Sequence, residues 1–149
     1  MPLEPRTADF PRIRGAVTFY QVASVITGVL LLLLCAEMLL KYAGGLELEL
    51  GGTRGFLAFV PAGTVAAVNL STGILIVHGW FYVVYLFSDF RLWSLMRWPF
   101  GRFLLIALGG IVPFLSFFLE VRITREVKDY LADREAVAAS ETDPVEAHR

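Results

Sequence analysis

Apolar residues gather in three long stretches of the chain, and polar residues interrupt each stretch at helical spacing. Gly15 to Ala36 carries no Asp, Glu, Lys or Arg, and neither does the longer run from Gly55 to Ser88. A third apolar stretch lies between Arg102 and Glu120. A bilayer core needs about 20 apolar residues at about 1.5 Å of rise each. The pattern therefore predicts an all-α membrane protein with three transmembrane helices, over residues 16–41, 69–90 and 102–120. Residues 1–14 read as a polar arm with Pro2, Pro5 and Pro11, mobile as far as about Asp9.

Between the first two spans lies a long connection. Leu46-Glu47-Leu48-Glu49-Leu50 alternates with period two, Gly51 to Gly55 is turn-rich, and Phe56 to Val60 can return as a strand. A β-hairpin and a re-entrant segment both fit residues 46–68. One helix from Gly55 to Ser88 does not fit: it would be about 50 Å long, and Pro61 and Gly63 interrupt it. After Glu120, Ile123, Val127, Tyr130 and Leu131 make an apolar face with Arg122, Arg125, Lys128 and Arg134 around it. That predicts a C-terminal amphipathic helix over residues 123–138. Residues 139–149 read as a disordered acidic tail.

Composition supports the membrane class. Of 149 residues, 56% are hydrophobic and 18% charged, against about 45–50% and about 25% in soluble domains. The apolar run after Arg14 exceeds a signal-peptide core and no A-x-A-like site follows it, so the first helix is expected to be retained. Leu34 just before Cys35 argues against lipoprotein cleavage. Cys35 is the lone cysteine, which excludes an internal disulfide. No basic block suits nucleic acid, no glycine-rich loop suits phosphate, and no spacing suits a metal. Ser71, Ser88 and Ser116 lack a histidine–carboxylate arrangement, so no enzyme activity is expected.

Titratable and polar groups inside spans are costly, which makes them the candidate functional residues. His78, Tyr82, Tyr85 and Asp89 recur at i, i+4, i+7 and i+11, one stripe of the second span. Tyr20, Ser24 and Thr27 form a face of the first, with Gln21 and Gly28 beside them. Such small and hydroxyl faces serve helix contact. Equal depth predicts that His78 faces Thr27 or Ser24. Asp89 and Arg102 both fall at the inner edge, which predicts an ion pair. Lys41 falls at the outer edge, where Glu37 or Glu120 is the expected partner. Pro113 follows Gly109 at i+4 and predicts a kink in the third span. His78 has two readings: a proton or ion relay, since imidazole titrates near neutrality, or a neutral group that locks packing. Two facing histidines for haem are absent, His148 being in the tail, and no cofactor is expected.

Three groups of residues resemble a known family. They are Leu39-Leu40-Lys41-Tyr42, His78-Gly79-Trp80-Phe81-Tyr82-Val83-Val84-Tyr85 and Gly110-Ile111-Val112-Pro113-Phe114-Leu115-Ser116-Phe117. The chain is similar over roughly residues 14–125 to a family of small integral membrane proteins of unknown function, common in high-GC Gram-positive bacteria. The resemblance implies a plasma-membrane location and a compact three-span unit, and no activity.

Orientation is a tie on three spans. Arg6, Arg12, Arg14, Arg91, Arg97 and Arg102 share one side, and Lys41, Arg54, Arg122, Arg125, Lys128 and Arg134 the other. The short basic second connection favours a cytoplasmic N-terminus. The expected function is an accessory or scaffold subunit of a larger plasma-membrane assembly. The expected partners are the lipid bilayer and another membrane protein or a second copy, with no nucleic acid. The alternative is a homo-oligomeric transporter or channel whose path is lined by His78, Tyr82, Tyr85 and Glu120.

Overall fold

The computed structural model describes residues 4–142; the arm's first three residues and the predicted tail beyond Thr142 lie outside them. Helix α1 (Phe10–Gly44) follows a 3-10 turn at Thr7–Asp9. It begins inside the predicted arm because Phe10 and Ile13 are buried with Met96, Val127 and Leu131. Helix α2 (Leu70–Met96) starts where Asn69 Oδ1 accepts the Thr72 amide at 3.0 Å, a side-chain N-cap. It ends at Arg97, held at a positive φ, just ahead of Pro99. α1 and α2 are both long and apolar enough to cross a membrane. They pack antiparallel, with Ser71 against Glu37 near one end and Thr27 against Phe81 further down.

The first connection is a hairpin and not a re-entrant segment. Strands β1 (Leu46–Gly52) and β2 (Gly55–Pro61) pair antiparallel, with Leu48 opposite Phe59. A short third strand, β3 (Val68–Asn69), pairs on the other side of β1 and runs straight into α2. The fold is therefore mostly helical with a small antiparallel sheet, and not all-α. Gly45 sits at φ 63°, which lets the chain leave α1 and turn into β1 at once.

The stretch predicted as a third span is two helices. Helix α3 (Phe100–Leu108) has only nine residues. Gly109 to Phe114 form turns, and helix α4 (Leu115–Thr142) then runs without interruption through the predicted amphipathic helix and the first residues of the predicted tail. Pro113 therefore marks a break where a kink is expected. Pro113 biases Val112 away from the helical region, Gly109-Gly110 weakens the preceding turn, and Phe114 adopts φ 66°. The break reverses the chain. α3 rises along α2 until its last carbonyls reach Tyr82 and Tyr85. α4 descends along α1, from Ser24 at its start to Arg14, whose guanidinium meets Glu135 at 2.6 Å. The end of α4 thus lies beside the start of α1, where Arg134 meets Glu4.

Candidate functional site

The polar stripe of α2 converges on the break between α3 and α4. A helix that stops early leaves its last carbonyls without intrahelical donors. In hydrocarbon those carbonyls need partners from neighbouring elements. Tyr85 supplies one: its hydroxyl donates to the Ile106 carbonyl at 2.6 Å, and the Gly109 amide reaches the same oxygen at 2.8 Å. Tyr82 donates more weakly to the Ala107 carbonyl at 3.3 Å, which also takes the Gly110 amide at 3.2 Å. Across the turn, Ser24 donates to the Ser116 carbonyl at 3.2 Å. The tyrosines also stack in file, with His78 to Tyr82 at 6.4 Å and Tyr82 to Tyr85 at 6.3 Å between ring centroids.

Glycines let the elements close on this seam. A Cβ at Gly109 would lie 2.8 Å from the Tyr85 hydroxyl, and one at Gly28 would lie 2.9 Å from the Phe117 ring. Beside it, Tyr20 and Tyr85 are fully buried with ring centroids 5.9 Å apart. Gln21 donates to Glu120 at 2.8 Å, so the Glu120 carboxylate is held between α1 and Thr124 of its own helix.

One predicted contact forms, and three predicted pairs do not. His78 is half-buried against the Thr27 backbone, and the Thr27 hydroxyl itself donates to the Phe81 carbonyl at 3.2 Å. The Asp89–Arg102 ion pair does not form. Arg102 bonds Glu126 of α4 and lies 4.3 Å over the Trp98 ring, because the turn back brings α4 alongside α3. Lys41 pairs with neither Glu37 nor Glu120 but with Glu47 at 2.7 Å, because Gly45 folds β1 back on the last turn of α1. Glu37 accepts instead from Ser71, and Glu120 lies far down the bundle beside Gln21.

The sheet holds what the sequence reading missed. Glu47 and Glu49 are 4% and 2% exposed, although their alternation with leucine suggests the reverse. Glu47 also accepts the Gly63 amide at 2.9 Å, and Glu49 accepts the Ala66 and Ala67 amides at 2.6 and 2.8 Å. The Lys41 hydrogen bond, and then the Gly63 amide, hold the Glu47 carboxyl below the usual glutamate range. A period-two pattern says which residues share a face, not which face is covered. Four side chains stay buried with unpaired polar atoms among the described residues. They are Asp89 with both carboxylate oxygens, the Tyr20 hydroxyl, His78 Nδ1 and the Ser116 hydroxyl.

Known sequences place this architecture. The family model described as Domain of unknown function (DUF3817) matches residues 17–125, which hold most of α1, the sheet, α2, α3, the break and the start of α4. The chain belongs to that family. Members similar to it include an uncharacterized protein of Mycobacterium tuberculosis strain H37Rv, 31% identical over 117 residues, covering 78% of this chain and 80% of the relative. An uncharacterized protein of Mycobacterium leprae is 29% identical over 120 residues, covering 80% and 82%. Both organisms are high-GC Gram-positive bacteria, in keeping with the resemblance read from the three motifs. No solved structure matches the chain. The family match brings no activity, so the chemistry of the seam has to speak for itself.

Proposed function

We propose that this family member is a multi-pass plasma-membrane protein that serves as an accessory or scaffold subunit of a larger membrane assembly, and not as an enzyme. One observation carries the reading: three polar side chains of the interior, from α1 and α2, hold the two ends of the chain's own broken helix. Tyr82, Tyr85 and Ser24 close backbone carbonyls. Meanwhile the lipid-level faces of α2 and α4 stay open, with Trp80, Phe87 and Phe118 exposed. That combination suits lateral contact with another membrane protein or a second copy.

The reversal at Gly109–Phe114 supports a two-span topology with α3 and α4 as a re-entrant helical hairpin. Arg122, Arg125, Lys128 and Arg134 then join Arg6, Arg12, Arg14, Arg91, Arg97 and Arg102, leaving Lys41 and Arg54 opposite. The tie of the three-span count becomes a strong bias. Basic residues near span ends favour the cytoplasm, so the start of α1 and the end of α4 are cytoplasmic and the sheet is outside. Reporter fusions after Thr142 and within Thr53-Arg54 check this: the first reads cytoplasmic and the second external. A reporter after Thr142 that reads external restores the three-span topology and ends this one.

A second reading draws on the unpaired Asp89, Tyr20, His78 and Ser116 atoms, which are buried within the bundle. A homo-oligomer could carry protons or ions along them. Gentle purification from the native membrane with mass spectrometry separates the two readings. A stoichiometric foreign partner supports the scaffold. A homo-oligomer, with His78→Ala sparing abundance and abolishing flux, supports the transporter.

A further inference from the structure

The small sheet buries two carboxylates on one face, where Phe56 at its turn end is exposed, and leaves the other, leucine-bearing face without protein cover over the outer strand. The register puts Leu46, Leu48 and Leu50 of β1 on one face with Leu57 and Phe59 of β2. Val68 of β3 joins them opposite Leu50. Glu47 and Glu49 point to the other face, where the 62–67 loop bonds both carboxylates. A sheet surrounded by water would turn these faces round, since exposing leucines while burying carboxylates costs free energy on both counts. The charges are instead held under a loop and the apolar residues are left open: Leu57 is 55% and Phe59 54% exposed.

Position in the fold says what covers them. β1 lies against both α1 and α2, which leaves its leucines half-buried. β2 is the outer strand and packs on β1 instead of on a helix. β3 passes within one residue into Leu70, the first residue of a membrane-length helix. The sheet is therefore tied to the start of α2, with β2 on its outer side, away from the helices. We propose that β2 docks the sheet on the outer leaflet of the membrane, with Leu57 and Phe59 immersed at the interface and the Glu47–Glu49 face turned to water. This rests on the membrane reading above. Interfacial binding of this kind scales with the apolar area buried, and the hairpin becomes a lipid-contacting collar at the mouth of the bundle.

The test uses the full chain with Cys35→Ser, reconstituted in vesicles of phosphatidylcholine and phosphatidylglycerol. Single cysteines at Leu57→Cys, Phe59→Cys, Ala66→Cys and Val83→Cys carry an environment-sensitive fluorophore. All four positions are exposed in the structure, so the substitutions leave the fold intact. Positions 57 and 59 are expected to lose fluorescence to lipid bearing a shallow nitroxide and to keep it in aqueous iodide. Position 66, on the loop over Glu49, is expected to do the opposite. Iodide quenching at 57 and 59 equal to that at 66 overturns the proposal, because the face is then in water. Protection from both quenchers at 57 and 59 also overturns it, because protein then covers the face. Position 83, midway along α2, is the control for the membrane reading: failure of a deep nitroxide to quench it removes that reading and this one together.

Discussion

Tyr85→Phe is the most informative single change, because it deletes one hydroxyl and almost no volume. The ring stays buried beside Tyr20, so packing is preserved and only the bond to the Ile106 carbonyl is lost. A buried acceptor left with no partner costs about 1–3 kcal/mol. Here the Ile106 oxygen keeps the Gly109 amide, so the loss is of a second donor. Side-chain hydrogen bonds within membrane bundles average about 0.6 kcal/mol and reach about 1.7. At 2.6 Å and fully buried, Tyr85 belongs near the top of that range, at about 1.5 kcal/mol. Tyr82→Phe removes a longer bond of 3.3 Å from a half-buried side chain, and its expected cost is about 0.5 kcal/mol. Equilibrium unfolding in mixed detergent micelles, titrated with a denaturing detergent, measures both. The reasoning fails if Tyr85→Phe is neutral or stabilising, or if Tyr82→Phe costs more than Tyr85→Phe. Either result means that the tyrosine stripe is not what holds α3 at its early end.

Three other perturbations probe separate parts of the fold. Gly28→Val would force a side chain against Phe117 and Ser116 and is expected to cost about 1–3 kcal/mol by overpacking, while Gly79→Val, which meets nothing, should cost far less in the same assay. A double-mutant cycle on Arg102→Ala and Glu126→Ala should show coupling of up to about 1 kcal/mol for this partly exposed pair, and the cycle of Arg102→Ala with Asp89→Asn should show none. The Glu47 carboxyl titrates lower folded than unfolded, so its contribution is complete above the ordinary glutamate range and disappears as pH falls through the lower folded value. Protection of the Gly63 amide, its exchange rate measured against the unstructured rate at the same pH, should therefore fall in acid in the native protein, and in Glu47→Gln it should be low already at neutral pH and lose that acid step.

Periodicity and composition were enough to locate the two long helices, because burying about 20 apolar residues against lipid is a property each segment has by itself. Depth arithmetic along two antiparallel helices was enough to put His78 beside Thr27, since a rise of about 1.5 Å per residue leaves little freedom once both ends are anchored. Turn residues at Gly51–Gly55 allowed a hairpin without excluding a re-entrant segment, and the strand pairing decided between them. The break at Gly109–Phe114 was legible only as a kink at Pro113. Whether a helix bends or stops there depends on who takes up the freed carbonyls, and the takers are Tyr82 and Tyr85, more than twenty residues away in sequence. Once the chain turned back, α4 arrived beside α3 and took Arg102 for Glu126, which left Asp89 without its expected partner. The same kind of contact inverted the sheet: backbone amides of the 62–67 loop, invisible as a motif, hold Glu47 and Glu49 inward. Local sequence thus determined the two long helices, because a continuous apolar run is a property of the segment itself. Direction of the chain after Gly109, the partners of Lys41 and Arg102, and the face of the sheet that holds its carboxylates were decided by tertiary structure, because each depends on a donor or a carboxylate supplied by a different element.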